Sequence, residues 1–358
     1  MVAADCLKLT TYFGERDRVD GRLLGDALLD IYAAHRLQAS VLLRGTVGFG
    51  RAHQLHTDRL LSLSEDLPVV SVAVDRRDRI DAALQDVLAV KRRGLVTLER
   101  ARMQAGALAA EPWPETLAEA TKLTFYVGRH ERAGGQPAFV ALCELLQSCG
   151  VAGAAVLLGV DGTRLGERRR AAFFSANTAV PMMVIAVGSG DRISDALTAS
   201  AELLTAPLVT LERVQVCKRD GHGLATPHAL PGVDEHGLAL WQKLMVHTSE
   251  ATSAAGQPLH LEIVRRLRAS DVAGATSLRG IWGFHGARPP HGDRFLSLRR
   301  HVPVVTTVVD TPERIGRAFE IIDALTHEHG LVTSEMVPAV QALGDARHGG
   351  LRLARHHY

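Results

Sequence analysis

Hydrophobic and polar positions along the chain follow two rhythms, and their order predicts a fold. Leu7 to Phe13 mixes β-branched, aromatic and aliphatic residues and reads as a strand. Leu23, Leu24, Ala27, Leu28, Ile31 and Tyr32 then recur at helical spacing, which gives an amphipathic helix with one buried stripe. Ala39 to Leu43 is a short apolar run, a second strand stopping at Gly45. Pro68 to Val74 reads as a third strand with proline at its first position, where a missing amide costs little. Asp75 is placed to cap a second helix burying Ile80, Ala83, Leu84, Val87 and Leu88, and Leu95 to Arg100 forms a fourth strand. Strand, helix, strand, strand, helix, strand is the split βαβ, or ferredoxin-like, α+β arrangement. Its antiparallel sheet carries both helices on one face, so the other face needs a cover.

The same pattern occurs three times. A slide of 235 positions lays Lys8-Leu9 on Lys243-Leu244, Arg44-Gly45 on Arg279-Gly280, Gly48-Phe49 on Gly283-Phe284, and His56-x-Asp58-Arg59 on His291-x-Asp293-Arg294. A slide of 114 lays Lys8 on Lys122, and Gly45 and Gly48 on Gly159 and Gly162. With one residue dropped, Val96-Thr97-Leu98-Glu99 meets Val209-Thr210-Leu211-Glu212. A period near 100 is that of a small independent domain, too long for a helical solenoid or a propeller blade. The expected organisation is repeat 1 over 6–103, a linker over 104–119, repeat 2 over 120–216, a linker over 217–239, repeat 3 over 240–340 and a disordered tail over 341–358. The copies are unequal, because repeat 2 has Arg169, Ala171 and Ala172 where the others place His-x-Asp-Arg.

Composition narrows the function classes. Hydrophobic residues at 46% and charged residues at 22% are ordinary for a globular chain. A formal charge of +2 over 358 residues argues against nucleic acid or an anionic membrane as partner. Arg168-Arg169-Arg170 reads as solvated surface. The four cysteines show neither metal-ligand spacing nor a disulfide framework, and neither a signal peptide nor an apolar bilayer-length run is found. A reduced, cytoplasmic protein is expected.

Two stretches carry a family resemblance: Val41-Leu42-Leu43-Arg44-Gly45-Thr46-Val47-Gly48-Phe49-Gly50, and the run from His56-Thr57-Asp58-Arg59 through Leu67-Pro68-Val69-Val70. With Lys-Leu-x-x-Tyr in the first strand, they make repeat 1 similar to the PII-like family catalogued as domain of unknown function 190. Repeat 3 fits well and repeat 2 more loosely. The resemblance implies the fold of PII signalling proteins, ferredoxin-like trimers that bind small effectors, often adenine nucleotides, between subunits. There a long loop after the second strand contacts the regulated partner. Three copies on one chain then supply a whole trimer, a monomeric pseudo-trimer whose tether replaces bimolecular assembly. Fold resemblance alone does not fix function.

Candidate site residues follow from the repeat. Gly45, Gly48, Gly159, Gly162, Gly280 and Gly283 either present amides to a phosphate or serve tight turns. Arg44 and Arg279, just before the turns, suit bidentate phosphate binding. Lys8, Lys122 and Lys243 either line an anionic pocket between copies or snorkel at a sheet edge. His56, Asp58 and Arg59, with His291, Asp293 and Arg294, either bind a ligand or cap a short helix beginning near Asp58. The expected function is a non-enzymatic sensor whose loops at 45–65, 159–176 and 280–300 engage a partner such as a membrane transporter or ion channel. Two alternatives stand beside it. One is a divalent-metal-binding trimer using His53, His56 and His291, and the other a small enzyme acting on phosphorylated metabolites. No serine elbow, HExxH, Walker or dinucleotide motif is found.

Overall fold

A computed structural model of the chain describes residues 4–50, 53–58, 66–91, 94–106, 120–168, 180–205, 207–254, 256–286, 290–292, 302–327, 330–342 and 352–356. Repeat 1 contains β1 (Ala4–Gly14), α1 (Leu24–Ala34), β2 (Ala39–Phe49), β3 (Pro68–Arg76), α2 (Arg77–Val90) and β4 (Leu95–Ala105). Repeat 2 contains β5 (Ala120–Gly128), α3 (Ala138–Ser148), β6 (Gly153–Leu158), β7 (Asp161–Arg164), β8 (Pro181–Ser189), α4 (Gly190–Leu203), β9 (Leu208–Arg213) and β10 (Gln215–Arg219). Repeat 3 contains β11 (Trp241–Ser249), α5 (Leu259–Ala269), β12 (Ala275–Arg279), β13 (Trp282–His285), β14 (Pro303–Asp310), α6 (Pro312–Leu325), β15 (Leu331–Val337) and β16 (Ala339–Ala342). In repeat 1 the antiparallel order is β2-β3-β1-β4, and repeats 2 and 3 reproduce it as β6-β8-β5-β9 and β12-β14-β11-β15.

Strand alternation sorts side chains to two faces. On β1, Leu7 and Leu9 face the helices and pack with Leu28, Tyr32, Ile80 and Val87. The intervening Lys8, Thr10 and Tyr12 face the other way. The opposite sheet faces of all three repeats meet in one shared core that includes Val41, Leu43, Val72, Leu157, Ile185, Met245, Leu278 and Val305. Helices therefore lie outside and sheets inside. In repeats 1 and 3 the arginine opening the second helix ties it to the end of the first. Arg79 donates to the His35 carbonyl at 3.3 Å, and Arg314 pairs with Asp271 at 2.9 Å.

Two sets of strand pairings join the repeats, and each closes on itself. In the first, the part of the second strand beyond its glycine crosses onto a neighbour. Residues 45–49 pair with β12 of repeat 3, β13 of repeat 3 pairs with β6 of repeat 2, and β7 of repeat 2 pairs with β2 of repeat 1. In the second, each fourth strand runs on past its own sheet. Residues 102–105 pair with β9, β10 pairs with β15, and β16 pairs with residues 95–98 of β4. The result is one large curled antiparallel sheet built from a threefold repeated domain.

Four sequence expectations change here. The second strand does not stop at Gly45 but continues to Phe49. Asp75 is no helix cap: it is buried, and its carboxylate accepts from the amides of Gln38 (3.1 Å) and Arg76 (2.6 Å), as Asp310 does from Ala273 and Thr311. Arg168 is not a solvated surface group. It pairs with Asp161 at 2.8 Å and Asp30 at 3.1 Å, and also with Asp26, tying repeat 2 to α1. The 341–358 stretch is not a free tail where it is described. Leu353 joins the helix-side core of repeat 1, Arg100 donates to the Leu353 and Ala354 carbonyls, and the Arg355 amide donates to Asp234 at 3.0 Å. No helix of the described residues is long and apolar enough to cross a membrane.

Candidate functional site

At the centre of the shared core stands a ring of six charges. Each lysine of the first strands lies directly opposite a glutamate on its repeat's fourth strand: Lys8 opposite Glu99, Lys122 opposite Glu212, Lys243 opposite Glu335. Each ammonium bridges its own glutamate and that of the next repeat. Lys8 Nζ lies 2.9 Å from Glu99 Oε2 and against Glu212 Oε2. Lys122 Nζ lies 2.9 Å from Glu212 Oε2 and 2.6 Å from Glu335 Oε1. Lys243 Nζ lies 2.8 Å from Glu335 Oε1 and 2.5 Å from Glu99 Oε2. The circuit runs Lys8, Glu99, Lys243, Glu335, Lys122, Glu212 and back to Lys8. No side chain in it is more than 7% exposed.

Burial opposes charge on all six groups, and the ring geometry answers it. Burial works against the Glu99 carboxylate, yet Lys243, Lys8 and Lys122 hold it well below the usual range. Glu335 is likewise lowered against burial by Lys122, Lys243 and Lys8. Lys8 and Lys243 are raised, because their carboxylates outweigh desolvation, whereas for Lys122 burial wins and lowers it. Three positive and three negative charges cancel, as a buried ionic cluster requires if it is not to cost several kcal/mol per uncompensated ion.

The three lysines of the ring floor a cavity of ≈ 50 Å³. Its wall consists of equivalent positions from the three repeats: Leu43, Leu157 and Leu278; Val70, Met183 and Val305; Val72, Ile185 and Thr307; Thr10, Thr124 and Met245. Tyr12 also lines it, and the equivalent positions in the other repeats are Tyr126 and His247. Burial and then Lys122 and His285 push the His247 imidazole down to about 4.

The predicted lysines thus come together between copies, away from any sheet edge, and their partners are the chain's own glutamates. Those glutamates escaped the sequence reading. The signal was the recurrence of Glu99, Glu212 and Glu335 at one register, with Val332-Thr333-Ser334-Glu335 completing the pair of matching segments. Glu99, Glu212 and Glu335 also form, among the described residues, the one carboxylate or histidine trio close enough to hold a metal ion. Three ammonium groups already occupy the space between them, so the donor set does not suit a cation. His53, His56 and His291 form no such trio among the described residues.

The glycines lie where strands cross between repeats. A Cβ on Gly48 would stand 2.7 Å from the Ala275 carbonyl oxygen, on Gly162 2.3 Å from that of Ser40, and on Gly283 2.2 Å from that of Ala154. Gly45, Gly159 and Gly280 each face the proline opening a third strand, at 2.8 Å from Pro68 Cγ, 2.5 Å from the Pro181 oxygen and 2.7 Å from Pro303 Cγ. Close approach of a neighbouring backbone or of a proline ring accounts for glycine at all six. Arg44 pairs with Glu15 at 2.8 Å and Arg279 with Glu250 at 2.5 Å; repeat 2 has Leu158 and Arg129 at these positions. His56 pairs across from Gly48 and His291 across from Gly283, each on a short strand following its crossing. Asp58 is exposed, and its amide donates to Thr46 O at 2.9 Å. Arg59, Asp293 and Arg294, and the short helix expected near Asp58, lie outside the described residues.

A threefold repeated α+β domain that encloses a common ionic core is thus the class of protein defined by fold and site. The family model DUF190, described as "Uncharacterized ACR", matches residues 6–103, 120–216 and 241–339, and the chain belongs to that family. A curated relative, the UPF0166 protein of Aquifex aeolicus (strain VF5), is 31% identical over 97 residues, which are 27% of this chain and 90% of that protein. The match has the length of one repeat. Among solved structures, aspartate kinase from Synechocystis aligns with 93% of this chain and 43% of its own, at 11% identity and a TM-score of 0.26, too slight a likeness to carry an argument.

Proposed function

We propose that the chain is a non-enzymatic PII-like regulator, three ferredoxin-like units assembled as an intramolecular pseudo-trimer. The observation that carries this reading is the double cyclic closure of the strand pairings, which uses each repeat once as donor and once as acceptor in both sets. A heterologous contact that closes after three units is the geometry of a trimeric ring.

A small anionic effector, an adenine nucleotide in the first instance, binds in the clefts between repeats, beside Arg44 and Arg279 and the histidines His56 and His291. Those arginines are held by Glu15 and Glu250 at the surface, and a phosphate competes with the carboxylates for their guanidinium forks. Repeat 2 lacks the pair, so the three clefts are unequal. Binding reorders the loops at 45–65, 159–176 and 280–300, which engage a partner such as a membrane transporter or ion channel. Calorimetry against a nucleotide panel tests the reading. Binding weakened by Arg44→Ala or Arg279→Ala supports it, and no heat with an unchanged melting temperature removes the nucleotide.

A further inference from the structure

The cavity above the charge ring has an excess of hydrogen-bond donors that the ring does not use. An ammonium group carries three N–H donors and no acceptor. Lys8 and Lys243 each spend two on carboxylates, and all three lysines line the cavity while none of the three glutamates does. Lys122 spends its three on Glu335 Oε1 (2.6 Å), Glu335 Oε2 (2.8 Å) and Glu212 Oε2 (2.9 Å), so the spare donors are one N–H each on Lys8 and Lys243. One step along β1 stands Thr10, 3% exposed, whose Oγ1 has no hydrogen-bond partner among the described residues. The rest of the wall is leucine, valine, isoleucine and methionine, with Tyr12, Thr124 and Thr307 among them.

A half-open pocket with cationic donors at its floor and largely apolar walls accepts a guest that is all acceptor. Water fits this poorly, since its own two hydrogens find only hydroxyl oxygens. Size sets the other limit. At ≈ 50 Å³ the space exceeds the ~10–15 Å³ that one water needs, but it is far too small for a nucleotide or any phosphorylated metabolite.

We propose that this axial chamber binds a small monovalent anion of the halide or nitrate class, held by the spare donors of Lys8 and Lys243 and by the Thr10 hydroxyl, with Lys122 alongside as a third positive charge. The ring glutamates keep the lysines charged without entering the chamber, so the donors are preorganised before the anion arrives. The site is separate from the clefts between repeats, and its occupant does not compete with a nucleotide there.

Crystals of the full chain grown in sodium bromide test this directly through anomalous scattering, alongside melting curves in sodium bromide against sodium gluconate at matched ionic strength. The expected result is a bromide peak on the axis within hydrogen-bond reach of at least two lysine Nζ atoms, with a saturable rise in melting temperature. Thr10→Val should weaken the apparent bromide affinity at least about ten-fold, the low end for a hydrogen bond to a charged group. A chamber without an anomalous peak overturns the proposal. So does a peak with no solution counterpart, which would mean binding at crystal concentration only. The wild-type density stands as a test even if Thr10→Val does not fold, and a negative result leaves the nucleotide calorimetry unaffected.

Discussion

Replacing Lys8 by methionine keeps most of the side chain's volume but removes one charge from a ring that balances at three against three. Glu99 loses a contact of 2.9 Å and Glu212 loses one of its two lysines, both at 2% exposure where water cannot compensate. Removing one partner of a buried ionic network costs about 3–5 kcal/mol. The cost must depend on pH in a particular direction. In the native ring, Glu99 and Glu335 have lowered folded pKa values, so their stabilisation is present above the unfolded value of 4.5 and is lost as pH falls through the folded one. The Lys8→Met ring carries a net negative charge and draws a proton onto one of its carboxylates. That raised affinity is worth most at low pH. Urea unfolding at pH 7.5 and pH 5 therefore should show a penalty of about 3–5 kcal/mol at the higher pH that shrinks by at least about 1 kcal/mol at the lower. A penalty below about 1 kcal/mol, or one equal at both values, would refute the idea that the ring is a closed, desolvated circuit.

Two further perturbations probe other parts of the core. Gly162→Ala forces a Cβ to 2.3 Å from a neighbouring repeat's backbone oxygen and should cost about 1–3 kcal/mol, whereas Gly50→Ala, with nothing within 4 Å, should be close to neutral; thermal melting separates them. His247, pushed down to about 4 from 6.5, stays neutral in the folded protein while the unfolded chain takes up a proton, so stability falls as pH drops from about 6.5 to 4. His247→Tyr, which installs the residue of the other two repeats, should fold and remove a drop of roughly 3 kcal/mol from that window, read by chemical denaturation across pH.

Much of this architecture was legible in the chain, because Lys8, Lys122 and Lys243 sit at one register of three matching segments and the two periodicities alternate cleanly. The reach of each strand was not. Nothing local to Gly45 says that β2 continues to Phe49, since the hydrogen bonds that extend it come from β12, more than two hundred residues away. Glutamate on an alternating strand reads as solvent-facing by default, and only the threefold assembly turns Glu99 inward. The role of the glycines was obscure for the same reason: the atoms that exclude a side chain belong to another repeat. Arg168 looked like one of a basic run, and its three aspartates are scattered across two repeats.

Closure of both strand circuits through repeat 3 has a consequence for biosynthesis. When the ribosome has released only the first two repeats, residues 95–98 still await β16 and residues 45–49 still await β12. The nascent protein therefore displays naked sheet borders, β6 and β10 among them, together with a half-built hub in which Lys122 still lacks Glu335. Such borders invite pairing with a neighbouring chain on the same message. Repeat 3 acts as the clasp, and a product truncated before Trp241 should be recovered as entangled multimers.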